Sequence, residues 1–288
     1  MMKGYFYMAI SAFSFCLMTV FVKLAGQEIQ TIQIVFLRGL ITLGITYYLI
    51  NKYNASIWGG SRGVLFMRGV TGSVALFFVY ESLQRFTVSE ATVIQYLYPI
   101  FTAIFGSFLL SEKLSLKLLI TIIIGFFGIF TIFDFPFLIS NNIEFSWDLS
   151  IALIGSCLTG AAYVLVRKAS KLNESPYTIM FYFPLFTVLL SSPFIISYWI
   201  PPSMKCWFYI IMVGIFTQLG QIFLTFGYKI LPAGKAASAS YIQVPFSAVV
   251  GIALFGDSIS TNFIFGSIIV FIAILIIITD KQSTQSNY

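Results

Sequence analysis

Ten apolar segments, each about as long as a bilayer is thick, make up nearly all of this chain. They run over 4–24, 31–50, 64–84, 90–111, 116–134, 148–167, 176–199, 205–228, 236–256 and 260–279. A helix rises about 1.5 Å per residue and the hydrocarbon layer is about 30 Å deep, so roughly 20 apolar residues are needed to cross it. The expected class is therefore an all-α membrane protein with ten transmembrane helices. Charged residues make up 9% of the 288, against about 25% in a soluble domain. The connections are too short for a water-soluble domain.

The flanking charges orient the bundle. With the N-terminus in the cytoplasm, the inner segments hold Lys3, Lys52, Arg62, Arg68, Lys113, Lys117, Arg167, Lys168, Lys171, Lys229, Lys235 and Lys281. The outer side holds Lys23, Arg85 and Lys205, and Arg38 lies within the second span. Twelve basic residues against three is the bias that keeps both termini cytoplasmic. The net charge of +6 thus reads as topology and contact with anionic lipid, with no nucleic acid as partner.

Three cysteines (Cys16, Cys157 and Cys206) stand far apart and read as small packing residues with no metal spacing. The absence of histidine removes the commonest proton shuttle and metal ligand. No aspartate lies deep in a span, and no phosphate-binding Gly-rich motif occurs. An intramembrane enzyme, a cofactor and direct ATP drive are accordingly not expected.

The chain also repeats itself. Tyr80 to Ile132 has a counterpart in Phe226 to Ile278, and Val22-Lys23 lines up with Val166-Arg167. Pro99 sits inside the fourth predicted helix and Pro245 inside the ninth, each followed by an acid, Glu112 or Asp257, that reads as structural. The units are 1–140 and 147–280, with 141–146 as an outer linker and 281–288 as a disordered cytoplasmic tail. Five is odd, so the second copy enters the membrane inverted. Two inverted five-helix repeats with interrupted helices are the architecture of many secondary transporters, which bind their substrate between the repeats near mid-membrane.

Polar residues inside spans mark candidate site positions, because each is costly in lipid. The eighth helix carries Gly214, Gln218, Gln221, Thr225 and Tyr228 on one face; the ninth carries Ser240, Gln243, Ser247 and Gly251; the fourth carries Thr92, Gln95, Pro99, Thr102 and Gly106. The spacing by three and four is that of a single helical stripe. Small and hydroxyl residues such as Ser11, Ser14, Thr92 and Gly251 serve close helix packing equally well. Gln95, Gln218, Gln221 and Gln243 exceed the needs of packing and are candidate cavity residues, and Tyr98, Tyr163 and Tyr241 can stack on a solute or act as gates. Arg38 cannot shed its charge and needs a carbonyl, a water or a carboxylate. Glu81 can hold a cation, take a coupling proton, or pair with Arg85, Lys23 or Arg38. Pro99 and Pro245 each remove a backbone hydrogen bond; they are either static kinks or paired gates.

As a set these features resemble the drug/metabolite transporter superfamily, and within it the EamA-type family. The marks are Phe36-Leu-Arg38 in helix 2, prolines in helices 4 and 9 and an acid after each of those helices. The runs Met67-Arg-Gly-Val, Tyr80-Glu-Ser-Leu, Ser89-Glu-Ala-Thr-Val and Tyr98-Pro99 are similar to the S-adenosylmethionine transporters of intracellular bacteria. Family members carry two glycines in the last helix of each half; here Gly128 and Gly266 remain, while Thr121 and Ala273 replace the others. The resemblance implies alternating-access transport of a small organic metabolite such as S-adenosylmethionine, or an amino-acid or drug exporter, in a bacterial inner membrane. A membrane scaffold or lipid scramblase is the rival of another class, told apart by a polar groove open to lipid. The almost wholly apolar helices 5 and 10 suit peripheral positions and are the candidate homodimer contact.

Overall fold

The computed structural model describes residues 1–85, 94–132, 147–246, 249–250 and 260–279. Their regular structure is helical: α1 (Met2–Ala25), α2 (Thr31–Lys52), α3 (Arg62–Arg85), α4 (Tyr98–Leu110), α5 (Leu116–Ile132), α6 (Trp147–Lys171), α7 (Pro176–Tyr198), α8 (Met204–Ile230), the short α9 (Ala233–Ala239) continued by a 3-10 turn at Ser240–Ile242, and α10 (Thr261–Thr279). Within these, six segments are long and apolar enough to cross a bilayer, namely Met2–Ala25, Thr31–Lys52, Arg62–Val79, Trp147–Lys171, Pro176–Ile195 and Met204–Ile230. Large apolar side chains such as Phe6, Phe108, Ile123 and Leu275 stand exposed around the bundle, as lipid-facing residues must. Thr92, Ser247, Gly251 and Asp257, the 141–146 linker and the 281–288 tail lie outside the described residues.

The packing follows a pairing rule. The most extensive seams join α1 to α8, α3 to α6, α5 to α10 and α2 to α7, followed by α4 to α6, α3 to α7 and α2 to α8. Exchanging each of α1–α5 with its counterpart in α6–α10 turns the α1–α8 seam into α3–α6 and the α3–α7 seam into α2–α8, while α2–α7 and α5–α10 map onto themselves. Glycines let the backbones close. A Cβ on Gly128 would lie 2.9 Å from the Gly266 carbonyl oxygen, so α5 and α10 touch backbone to backbone.

Acids in the turns cap helices across the bundle. Glu28, after α1, accepts from the Ser203 amide and, at 2.8 Å, from its hydroxyl, at the start of α8. Glu174, after α6, accepts from the amides of Gly60 (2.9 Å) and Ser61 at the start of α3. Each carboxylate meets the free N–H groups and positive dipole end of a helix that begins elsewhere. Gln33 works similarly at the head of α2, donating to the Ile200 carbonyl at 2.6 Å and accepting from its amide at 3.0 Å.

The two interrupted helices differ from the sequence expectation in where they break. Residues 94–95 are helical, Tyr96–Leu97 form a turn, and Pro99 stands in the first turn of α4 rather than inside a continuous helix. At a helix start the missing proline N–H breaks no ladder. The carbonyl that this N–H would have met, that of Gln95, is taken by the Ser156 hydroxyl at 3.1 Å. In the second unit the break is the 3-10 turn, and Pro245 lies in the helical stretch that follows. A second difference concerns charge: Arg68 and Lys235, read above as inner flanks, are buried at 3% and 0% exposure.

Candidate substrate site

The interior polar cluster starts with Arg68. It stands six residues into α3, roughly 9 Å along the helix axis. Long side chains on a helix usually lean back toward its N-terminus, and lysines and arginines near a span's end usually reach for the interface. Arg68 does neither. Its guanidinium lies over Gly72, one turn deeper, in the space that a Cβ at position 72 would fill. The Phe183 ring of α7 covers it, with the guanidinium carbon 4.8 Å from the ring centroid. Arg68 Nε and Nη1 have no hydrogen-bond partner among the described residues. Placing an arginine mid-membrane costs about 3 kcal/mol on insertion scales, and a cation–π contact returns roughly 0.5–2 kcal/mol. The arginine therefore sits at a net cost unless a further partner meets it.

Within electrostatic range of Arg68 are the phenols of Tyr163 on α6 and Tyr228 on α8. Tyr228 is fully buried and its hydroxyl is unpartnered among the described residues. From there rings run in a chain. Tyr228 to Tyr163 is 5.3 Å between centroids, Tyr163 to Tyr98 is 5.3 Å edge-on, Tyr98 to Tyr96 is 6.0 Å, and Tyr96 to Tyr241 is 6.1 Å. The Tyr241 hydroxyl donates to the Ile122 carbonyl at 3.4 Å and its ring presses on Gly125, so Tyr241 is anchored against α5.

The other sequence candidates divide into those near this interior and those apart from it. Gln95 donates from its side-chain amide to Thr159 at 3.2 Å on the α6 seam that also carries Tyr163. Gln218 accepts from Thr46 at 3.1 Å while its Nε2 is unpartnered, as is the hydroxyl of the adjacent Thr217. Gln221 and Gln243 are half-buried on their helices. Arg38 is buried at 5% exposure, and its guanidinium lies 6.0 Å from the centroid of Phe183, so one ring serves both interior arginines. Glu81 is elsewhere: half-exposed, it bonds Arg85 at 3.3 Å, and Arg85 also bonds Asp148 at 2.6 Å. That arrangement is the simple pairing anticipated as one of its roles.

One end of the bundle is tied shut below Tyr228. Glu112, in the turn after α4, accepts from Arg167 Nε at 2.9 Å and pairs with Lys171 at 3.3 Å. Its other oxygen caps α9 through the Ala233 amide at 2.7 Å. Arg167 continues to the carbonyls of Tyr228 (3.0 Å) and Lys229 (2.7 Å). The Glu112 and Arg167 side chains are each 13% exposed, so this is a nearly dry clamp joining α4, α6, α8 and α9. A separate hollow of about 440 Å³ at Gly26–Ile32 is lined by none of these residues.

Arg68, Tyr96, Phe183 and Thr217 were not among the sequence candidates, and Tyr228 was noted there as part of a stripe alone. For Arg68 a usable signal existed. It is the fifth residue of the predicted span 64–84, and a glycine stands four residues on, at 72, on the same face.

A multi-pass bundle of apolar helices, with arginines, amides and phenols turned inward and one end clamped, is the build of a membrane transporter. Comparison with known proteins agrees. The chain belongs to the EamA-like transporter family, whose pattern matches twice, at residues 2–134 and 146–279. It is 23% identical to the pseudopaline exporter of Pseudomonas aeruginosa over 97% of both chains. It is 23% identical to the S-adenosylmethionine uptake transporter of Rickettsia prowazekii, covering 92% of this chain and 88% of that one. Identity reaches 30% with solute carrier family 35 member G1 of Homo sapiens, over 88% of this chain and 73% of that protein. A solved crystal structure superposes with a TM-score of 0.79 over 93% of this chain and 94% of that one, at 15% identity, which speaks to the fold.

Proposed function

We propose that this protein is a secondary transporter that moves a zwitterionic or nucleoside-like metabolite, S-adenosylmethionine or a close chemical relative, by alternating access. The supporting observation is the row of phenols ending at Arg68, enclosed where the α3–α6 and α4–α6 seams meet. In this reading 1–140 and 147–280 are repeats inserted in opposite directions and joined by 141–146. Both termini are cytoplasmic and the membrane is a bacterial inner membrane. The exchange symmetry of the helix seams and the double family match favour the repeats, and the excess of basic residues on one side favours the orientation. Pro99, at the start of α4, and Pro245, just past the 3-10 turn after α9, are the points about which these stretches swing. The Glu112 clamp closes the inner end, and Gln95, Gln218, Gln221 and Gln243 wet the path. The apolar outer faces of α5 and α10 remain as a homodimer contact.

Uptake of radiolabelled S-adenosylmethionine into proteoliposomes tests the reading, with and without S-adenosylhomocysteine trapped inside. Saturable uptake that accelerates with the trapped solute is the expected result and defines an exchanger. No uptake in either condition overturns the substrate. The second reading, export of a different metabolite, is favoured by the similarity to the pseudopaline exporter and predicts efflux from loaded vesicles instead.

A further inference from the structure

We propose that Arg68 is the group that binds the carboxylate of the transported solute, so that the substrate class is a carboxylic acid carrying a flat or cationic remainder. This rests on the transport reading above and names the chemistry of its site. The observation is an arginine at 3% exposure whose Nε and Nη1 have no partner among the described residues. A guanidinium keeps its charge at any physiological pH, so a buried one gains from a carboxylate. Among the described residues none pairs with Arg68, and Glu112 is already held by Arg167, Lys171 and the Ala233 amide. The carboxylate of a bound solute would supply the missing partner.

Three local features make this a receptor for a ligand and not an arginine stranded by chance. Gly72 leaves the space into which the guanidinium folds, deeper into the bundle; with any side chain at 72 that position is lost. Phe183 fixes one face of the guanidinium, with its ring edge 3.1 Å from where a Cβ on Gly72 would stand, and Nε and Nη1 remain without a partner among the described residues. The unpartnered Tyr228 hydroxyl lies within electrostatic range of the same charge and can supply a neutral donor to a bound oxyanion. One guanidinium and one phenol match a singly charged carboxylate. Arg38, the other interior arginine, approaches the same Phe183 ring at 6.0 Å, and a phosphate dianion that bridged both guanidiniums would be told from a carboxylate by the test below. Beyond the carboxylate, the contacting rings of Tyr163 and Tyr98 supply aromatic surface suited to a flat ring or an onium group.

The test uses the full chain in detergent and matched solutes that differ in the carboxylate: S-adenosylmethionine against its decarboxylated form, and L-methionine against L-methioninamide, with inorganic phosphate and chloride as further arms. The carboxylates are expected to raise the melting temperature with at least about tenfold tighter apparent affinity than their partners. Arg68→Met should abolish that preference while melting no lower than wild type without ligand, because it removes an uncompensated charge. Gly72→Ala keeps the charge but displaces it, and should weaken binding about fivefold to tenfold. Lys205→Gln, which removes an exposed cation at the start of α8, controls for net charge. A lower unliganded melting temperature for Arg68→Met would make the arginine structural and overturn the proposal. So would an intact carboxylate preference in that variant, stabilisation by phosphate alone, or no response to any carboxylate. Carboxylate binding with no uptake into proteoliposomes, by contrast, sinks the transport reading and leaves Arg68 as a carboxylate receptor.

Discussion

The segments 2–134 and 146–279, which match the same family pattern, agree at their edges and disagree in their interiors. At the edges, Glu28 after α1 caps α8 and Glu174 after α6 caps α3, the same device with the partners exchanged. In the interior, both buried arginines, Arg38 and Arg68, come from the first segment, while the second supplies Tyr163, Phe183, Tyr228 and Gln218. Extending the register that aligns Tyr80 with Phe226 sets Arg68 against Gly214, whose backbone presses on Ile41. Helix ends pose the same problem in each segment, since free N–H groups need acceptors wherever they lie. On the proposed reading, a solute with two different ends poses a problem that symmetry cannot solve, because its site would be charged on one side and apolar on the other. Duplication would then account for the frame, and divergence for the interior.

The largest effect should come from the clamp, where residues of both segments meet. Glu112→Ala leaves Arg167 without its carboxylate and the Ala233 amide without its cap, in surroundings where each partner is about an eighth exposed. Removing one member of a buried pair costs about 3–5 kcal/mol. A steep fall in melting temperature is expected, with Glu112→Gln in between because its amide oxygen still caps α9. A loss below about 1 kcal/mol would mean that the clamp behaves as a surface pair and adds little to what already joins the two segments.

The caps test whether the edges are as alike as their geometry. Glu174 is 8% exposed and Glu28 lies at an exposed turn. Charge-assisted hydrogen bonds contribute about 1.5–3 kcal/mol when shielded from water, and less when hydrated. Glu174→Ala should therefore lower stability by about 2 kcal/mol and Glu28→Ala by no more than about 1 kcal/mol. Thermal melts of the two variants in one detergent give the ratio. Equal losses would show that topology, not burial, sets the strength of each cap.

The spans were legible because lipid demands long apolar runs, and their ends agree with the helices to within a few residues over α1–α3 and α6–α8. What the sequence hid was the direction of side chains and the partners of turns. Arg68 near a span's end reads as an interfacial anchor until Gly72 is seen to let it fold inward. Nothing in the sequence says that Glu28 and Glu174, in polar turns, meet the start of another helix. Of the candidate residues, Tyr98, Tyr163 and Tyr241 fall in the ring chain, with Tyr241 at its end also tied to the carbonyl of Ile122, whereas Glu81 is tied to Arg85. A helical stripe shows that a face is polar, but not which of its members end up bonded to a neighbour.

The smallest effect on stability should attend the break ahead of α4, and it offers a test that the second segment does not duplicate. Pro99 has no N–H for the Gln95 carbonyl, and the Ser156 hydroxyl of α6 takes that acceptor. Pro99→Ala restores a donor that can close the ladder across Tyr96–Leu97. In wild type, Ser156→Ala should cost about 0.6–1 kcal/mol, the usual size of an interhelical hydrogen bond in a membrane protein. On the Pro99→Ala background it should cost almost nothing, because the carbonyl then has its own helix to turn to. The coupling in that double-mutant cycle is thus the measure of the break. Pro99→Ala alone should change the melting temperature little and slow transport much more, since a continuous helix removes the swivel that alternating access would use. Additive losses in the cycle, or parallel losses of transport and stability, would reduce Pro99 to a static kink.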